Sequence, residues 1–262
     1  MFPEPLDLTD DKSTAIVVAS KELEGADLLV FFLDQSGTLR RGIAKNAKKS
    51  VRRFLNCFEP LNIITLSYVP SHSHLLLKEA RLHTGFTAFR QDPMLMGIGN
   101  LISEVLLAFL PENDAHAESF LITATVAKLL NEKRLNPLLL TVIWLFRLMV
   151  ITGHAPDFNR CAICNTELDR KRSWVWQLNP LRCVCADHYL TGSLKWEWDK
   201  EVLMFLRSLR IQPADRIWRF RLSSVKCVTL LKNLCHWCET ILQRELKSYR
   251  WLERVVIKPA AV

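Results

Sequence analysis

The chain has 262 residues, 49% of them hydrophobic, which suits one large domain or two to three small ones around a sizeable core. Its net charge of +8 speaks of partners and solubility rather than of fold. A secretory signal and a membrane span are both disfavoured: residues 1–11 carry Glu4, Asp7, Asp10 and Asp11 and no base, and the most apolar run, 138–151, is too short for a bilayer and is interrupted by Arg147.

Residues 1–12 read as a loose acidic tail. Strands are expected at 14–19 (TAIVVA), 27–33 (DLLVFFL), 38–45, 61–69 (LNIITLSYV) and 73–84, from their apolar, β-branched runs. Glu24-Gly25-Ala26, Asp34-Gln35-Ser36-Gly37 and Pro70-Ser71-His72 punctuate them. Five strands with short turns predict a small barrel of the OB type, which commonly binds single strands through a basic groove and stacking aromatics. Phe31, Phe32 and Tyr68 are the candidate aromatics; two of the three are expected in the core, because adjacent strand positions face opposite sides. From Pro93 the period becomes helical, with Ile98, Leu101, Ile102, Val105, Leu106 and Phe109 on one face. Helices follow at about 118–132, from Pro137 to Gly153, at about 199–209 and at about 222–252.

The third strand runs into a basic stretch, residues 38–54 (TLRRGIAKNAKKSVRRF). It holds Arg40, Arg41, Lys45, Lys48, Lys49, Arg52 and Arg53 and no acid. An isolated run of this kind is commonly a solvated face. Here it interrupts a β pattern, and Gly42, Asn46 and Ser50 are expected to loosen it. The stretch therefore points to a polyanion, whose condensed counterions are released as phosphates are neutralised.

The eight cysteines cluster rather than spread, so metal ligation is expected ahead of disulfides. Cys161-Ala-Ile-Cys164 is followed, after 20 intervening residues, by Cys185-Ala-Asp-His188. Two such pairs across a loop have the spacing of a zinc ribbon or knuckle, and Cys161, Cys164, Cys185 and His188 are the expected ligands of a structural zinc. Cys183 is the spare; a set of reduced structural thiols is the alternative. Cys235-His-Trp-Cys238 lies inside a helix and reads as core packing. His116-Ala-Glu118 matches the H-x-E of zinc deaminases, but Arg160 rather than proline precedes Cys161, and the second ligand pair would have no role.

Several stretches, in order, resemble the RecO family of bacterial recombination mediators. They are Glu24-Gly25-Ala26-Asp27 into the basic turn, Phe58-Glu59-Pro60-Leu61, Leu77-Lys78-Glu79-Ala80, Leu110-Pro111-Glu112, Arg147 through Gly153-His-Ala-Pro156 into CAIC, and Arg244-Glu245-Leu246-Lys247-Ser248. Together they cover almost everything after residue 12. The resemblance implies an α+β chain: an N-terminal five-stranded OB-fold barrel followed by an α-helical domain with a zinc-ribbon-like insertion. The expected division is a tail at 1–12, the barrel at 13–86, the helical domain at 87–157 and 192–255, and the insertion at 158–191. The implied function is non-enzymatic: binding of ssDNA and dsDNA, annealing of complementary strands, and work with RecR to load RecA on ssDNA coated by single-strand-binding protein. A cytoplasmic, nucleoid-associated location goes with it. Asn46 departs from the family's usual glycine, and His188 from a common cysteine.

The resemblance also implies contact with the acidic, apolar-ended tail of single-strand-binding protein. Such a tail needs an apolar pocket rimmed by cations, and Lys128, Lys133, Arg134 and Arg147 are the expected rim. Arg147, inside an apolar run, must reach the surface or meet an anionic partner: a tail carboxylate, or an Asp or Glu of the chain. Two other functions compete. An RNA-binding OB module would share the backbone charge and stacking. A zinc-dependent nucleic-acid hydrolase would need three ligands, an open position and a general base.

Overall fold

The computed structural model describes residues 11–71, 74–112, 114–133, 135–155, 157–168, 174–178, 181–190, 195–197, 200–213, 216 and 219–257. Residues 1–10 of the expected acidic tail (1–12), Arg134 and Pro156 lie outside the described residues, while Asp11 and Lys12, expected in that tail, begin the first strand. The chain forms two compact units, residues 1–131 and 132–262. The first unit includes the helices of residues 88–131 beside the barrel.

The first unit begins with β1 (Asp11–Glu22), β2 (Leu28–Asp34), β3 (Leu39–Ala44), β4 (Ile63–Ser71) and β5 (His74–Thr84). They close a barrel in the order β1-β2-β3-β5-β4, with β4 returning to β1 and only the β3–β5 pair parallel. This is the arrangement expected of the OB type. Alternation sends Val30 and Phe32 inward with Ile64, Leu66 and Tyr68, while Phe31 faces outward under the Lys21 ammonium, 5.4 Å from its ring centre. Phe32 and Tyr68 are thus core residues, with ring centres 6.0 Å apart.

Three short-range devices fix β3. At Gly42 a Cβ would lie 2.5 Å from Leu77 Cδ2 and 3.0 Å from the Leu75 carbonyl, so the absent side chain leaves room for the close parallel approach of β5. At Gly37, whose φ of +76 lies in the left-handed region, a Cβ would meet the backbone of His116. Ala115 and Glu112 bridge there to Thr38 and Leu39. The turn itself is closed by Asp34, which accepts from the N–H groups of Ser36 (3.0 Å) and Thr38 (3.1 Å), from the Ser36 hydroxyl and from Arg40 Nε. Burial pushes the Asp34 carboxyl up, but the hydrogen bonds from Ser36, Arg40 and Thr38 outweigh it and hold the pKa below the ordinary 3.8. Asp34→Asn is expected to cost about 2 kcal/mol at neutral pH. A depressed carboxylate stabilises above its unfolded pKa and loses that contribution as pH falls through the folded value. Urea titrations should therefore show the gap between parent and variant constant from pH 7 to 5 and shrinking below about pH 4.

The unit continues with α1 (Ala88–Gln91), α2 (Pro93–Phe109) and α3 (Ala117–Glu132). Asp92 caps α2 by accepting from the N–H groups of Met94 and Leu95, with Pro93 at the first helical position. In α3 the inner face includes Phe120, Thr123, Ala127 and Leu130; Ala124, expected there, is only half-buried.

The second unit holds α4 (Pro137–Ile151), a sheet of β6 (Trp174–Leu178), β7 (Leu181–Cys185) and β8 (Lys195–Glu197) in the order β7-β6-β8, then α5 (Lys200–Ile211), α6 (Ser224–Leu242) and α7 (Lys247–Leu252). The single last helix expected over 222–252 is two, because Gln243 takes a left-handed conformation (φ 51) that ends α6. An aromatic series ties the sheet to the helices: Phe146, Phe158, Trp176 and Trp237, with successive centres 5.7, 5.5 and 4.0 Å apart. Cys235 and Cys238 flank Trp237 and are fully buried, as core packing requires.

Arg147 is buried, and the structure gives it a partner the sequence did not suggest. Its Nη1 donates to the carbonyls of Leu209 (2.6 Å), Arg210 (3.3 Å) and Gln212 (2.8 Å). The guanidinium therefore closes the C-terminal end of α5, where unpaired carbonyls and the helix dipole both favour a cation. Burial lowers its pKa, yet a guanidinium stays charged. Arg147→Leu is expected to destabilise the unit by about 3 kcal/mol, since three acceptors lose their donor together. A fall in the denaturation midpoint at unchanged slope would measure it.

Candidate nucleic-acid interface and metal centre

The basic stretch is braced rather than loose. After β3, Asn46 adopts φ 55, a left-handed conformation that asparagine tolerates, and starts a short 3-10 turn over Ala47–Lys49. Its N–H donates to Asp27 Oδ1 at 2.7 Å, and the Ser50 hydroxyl accepts from the Arg53 N–H at 3.1 Å. The run thus holds its shape through acids placed elsewhere in the chain. Arg40 pairs with Asp34, Arg41 with Glu112 at 3.4 Å, and Lys48 with Glu22 at 2.9 Å. Arg53 donates to the Lys45 carbonyl at 2.9 Å and lies over the Phe54 ring. Lys45, Lys49 and Arg52 are exposed and have no ion pair among the described residues. All seven sequence-predicted cations therefore sit on one barrel strand and its following turn, in two classes: four already engaged and three directed to solvent. The bracing acids were not legible in the sequence, because each comes from a different element.

The four residues expected as metal ligands converge. The ligand atoms of Cys161, Cys164, Cys185 and His188 all lie within 4.8 Å of one another. Cys164 Sγ is 3.9 Å from Cys185 Sγ, and Cys185 Sγ is 3.1 Å from His188 Nδ1. Tetrahedral Zn–S bonds of ~2.3 Å would separate two sulfurs by about 3.8 Å, so the donor set fits a closed tetrahedral ion. The knuckle is built locally. Asn165 is left-handed (φ 57), its N–H donates to the Cys161 carbonyl, and the Cys161 N–H donates to the Thr166 carbonyl. The N–H groups of Ile163 (3.5 Å) and Cys185 (3.4 Å) both donate to Cys161 Sγ, a shell that fixes the direction of the sulfur. Hydrogen bonds with Thr166 pull the Cys164 thiol down to about 6, whereas burial and the neighbouring thiols push Cys185 up to about 11. Three thiols this close ionise together only beside a cation. Cys183 is buried two residues back along β7, about 6.7 Å away by strand rise, outside the group. His116 is paired with Asp114 at 3.3 Å and is no part of it.

The expected partner rim draws its residues from both units. Lys128 is exposed on α3 and Lys133 is exposed in a left-handed turn, while Arg147 is buried against α5.

The comparisons with known proteins agree with this architecture. Residues 90–250 match the family model described as "Recombination protein O C terminal". The chain is 30% identical over 244 residues to a DNA repair protein RecO of Syntrophobacter fumaroxidans, covering 93% of this chain and 97% of the relative. A DNA repair protein RecO of Koribacter versatilis is 30% identical over 248 residues, with 93% and 98% covered. Another, of Thermodesulfovibrio yellowstonii, is 24% identical over 214 residues, with 80% and 84% covered. A five-stranded barrel, a helical second unit and a cysteine–histidine cluster, on a chain so matched along nearly its whole length, belong to the RecO family.

Proposed function

We propose that the chain is a recombination mediator in DNA repair, which binds ssDNA and dsDNA, anneals complementary strands and works with RecR to load RecA on strands coated by single-strand-binding protein. It acts by binding, without covalent chemistry. The carrying observation is the braced basic turn, with Lys45, Lys49 and Arg52 held outward on a barrel of OB order. Phosphate neutralisation by such a surface is independent of sequence, as annealing requires. The RNA-binding reading is separated by competition between ssDNA and RNA of equal length: the mediator reading expects ssDNA to displace RNA.

The metal in this reading is a structural zinc on Cys161, Cys164, Cys185 and His188, which would close the knuckle and supply no open coordination position. A contact with the tail of single-strand-binding protein remains part of the proposal, with Lys128, Lys133 and Arg134 as its cations. Arg147 leaves that set, because its donors already serve α5. Charge reversal at Lys133 and Arg134 is expected to weaken a labelled tail peptide more than tenfold by anisotropy, about 1.4 kcal/mol.

A further inference from the structure

The first unit contains a cavity of about 460 Å³ that nothing in the sequence signalled. Its lining comes from the turn after the basic run, from the end of β5 and from α1 and α2. Its size is that of a small-ligand site. Phe86 and Phe89 supply an edge-to-face aromatic pair with centres 6.1 Å apart. Leu82 (43% exposed) and Met96 (41%) keep apolar surface open to solvent. Asn56 and Asn100 are exposed and bring carboxamides to the same cavity. Among the described residues the charged ones in the lining are Glu59 and Arg90, and they pair with each other at 2.8 Å.

We propose that this cavity takes one unstacked nucleobase of a single strand whose phosphates lie on Lys49 and Arg52. The inference rests on reading the basic turn as a phosphate surface. Three features select a base. The paired charges leave no spare cation for a carboxylate, so an acidic peptide gains nothing there. Aromatic and aliphatic walls accept a flat heterocycle of any sequence. Carboxamides offer both a donor and an acceptor, which is what the edge of a neutral base presents. The chain also links the two surfaces: Arg52 and Asn56 are separated by at most about 14 Å of backbone. Between and beside them, Val51 (74% exposed) and Leu55 (55%) place apolar side chains in solvent among the cations.

The test compares oligothymidylate with an abasic deoxyribose-phosphate strand of equal length and charge, titrated by anisotropy at several salt concentrations. The parent protein is expected to prefer the strand with bases about tenfold. Asn100→Trp, which plugs the mouth from an exposed position, should reduce that preference to less than twofold while leaving the salt slope unchanged. Met96→Trp should do the same from the same helix, and circular dichroism checks that both fold. A preference that survives both plugs, or none in the parent protein, would overturn the inference while leaving the phosphate surface intact. Binding of both strands without salt dependence would overturn the phosphate reading and this inference with it. If an acidic, apolar-ended peptide bound the cavity and lost that binding on plugging, with the base preference untouched, the cavity would belong to a protein partner instead.

Discussion

Replacing Lys45, Lys49 and Arg52 together by alanine is expected to flatten the log–log salt slope of single-strand binding by about two units and to weaken binding about a hundredfold at 0.1 M salt. Each cation that meets a single-strand phosphate contributes about 0.7 to the slope. These three have no ion pair among the described residues, so each can contribute in full. Arg40 and Lys48 differ. Arg40 is held by Asp34 and Lys48 by Glu22, and a paired cation must give up its carboxylate before a phosphate can take its place. The double variant Arg40→Ala, Lys48→Ala should therefore change the slope by less than one unit. The Arg40 change should also loosen the turn at Asp34 and lower thermal stability, whereas the triple variant should melt within about a degree or two of the parent. Equal slopes for the parent and the triple variant would place the phosphate surface elsewhere on the barrel.

The contrast between these two classes marks where sequence reading stopped. That Arg40 to Arg53 form one cationic surface follows from adjacency along the chain, and the structure keeps them on one strand and turn. Which of them are free does not follow, because Glu22 and Glu112 lie far along the chain and meet the run only in the fold, and Asp34, six residues before Arg40, meets it through the geometry of the β2–β3 turn. The same limit applies to Gly42. In sequence it reads as a flexible point; in the fold it is where β5 passes close by and a Cβ would crowd Leu77 and the Leu75 carbonyl. Arg147 was correctly singled out as a charge that needs explaining. Its acceptors are backbone carbonyls, however, and carbonyls have no letter in a sequence. That Cys161, Cys164, Cys185 and His188 come together, by contrast, was legible from their spacing. A Cys-x-x-Cys pair forms a compact knuckle through local backbone bonds alone, so little depends on the rest of the fold.

Cys161→Ser, Cys164→Ser is expected to remove one equivalent of tightly bound metal and to open the end of the β6–β7 sheet. Structural zinc binds with ~10 kcal/mol or more of apparent free energy, a quantity coupled to folding. In the second unit that coupling acts through Cys185, which belongs both to β7, opposite Trp174, and to the ligand set. Hydrogen exchange at the β6 and β7 amides should therefore accelerate in the variant far more than at α4. His188→Ala should give the same metal loss, whereas Cys183→Ser should retain the metal. That last change still buries a hydroxyl and should cost about 1–3 kcal/mol, so the ligand role and the packing role of neighbouring cysteines separate in one pair of variants. Protons compete for the same sulfurs, and burial that lifts Cys185 to about 11 strengthens that competition. Metal loss should thus set in as pH is lowered and reverse on return to neutrality. Elemental analysis of protein purified without chelator decides the matter: less than a tenth of an equivalent of metal, or undiminished metal in His188→Ala, would mean that these four side chains hold the knuckle by hydrogen bonding alone.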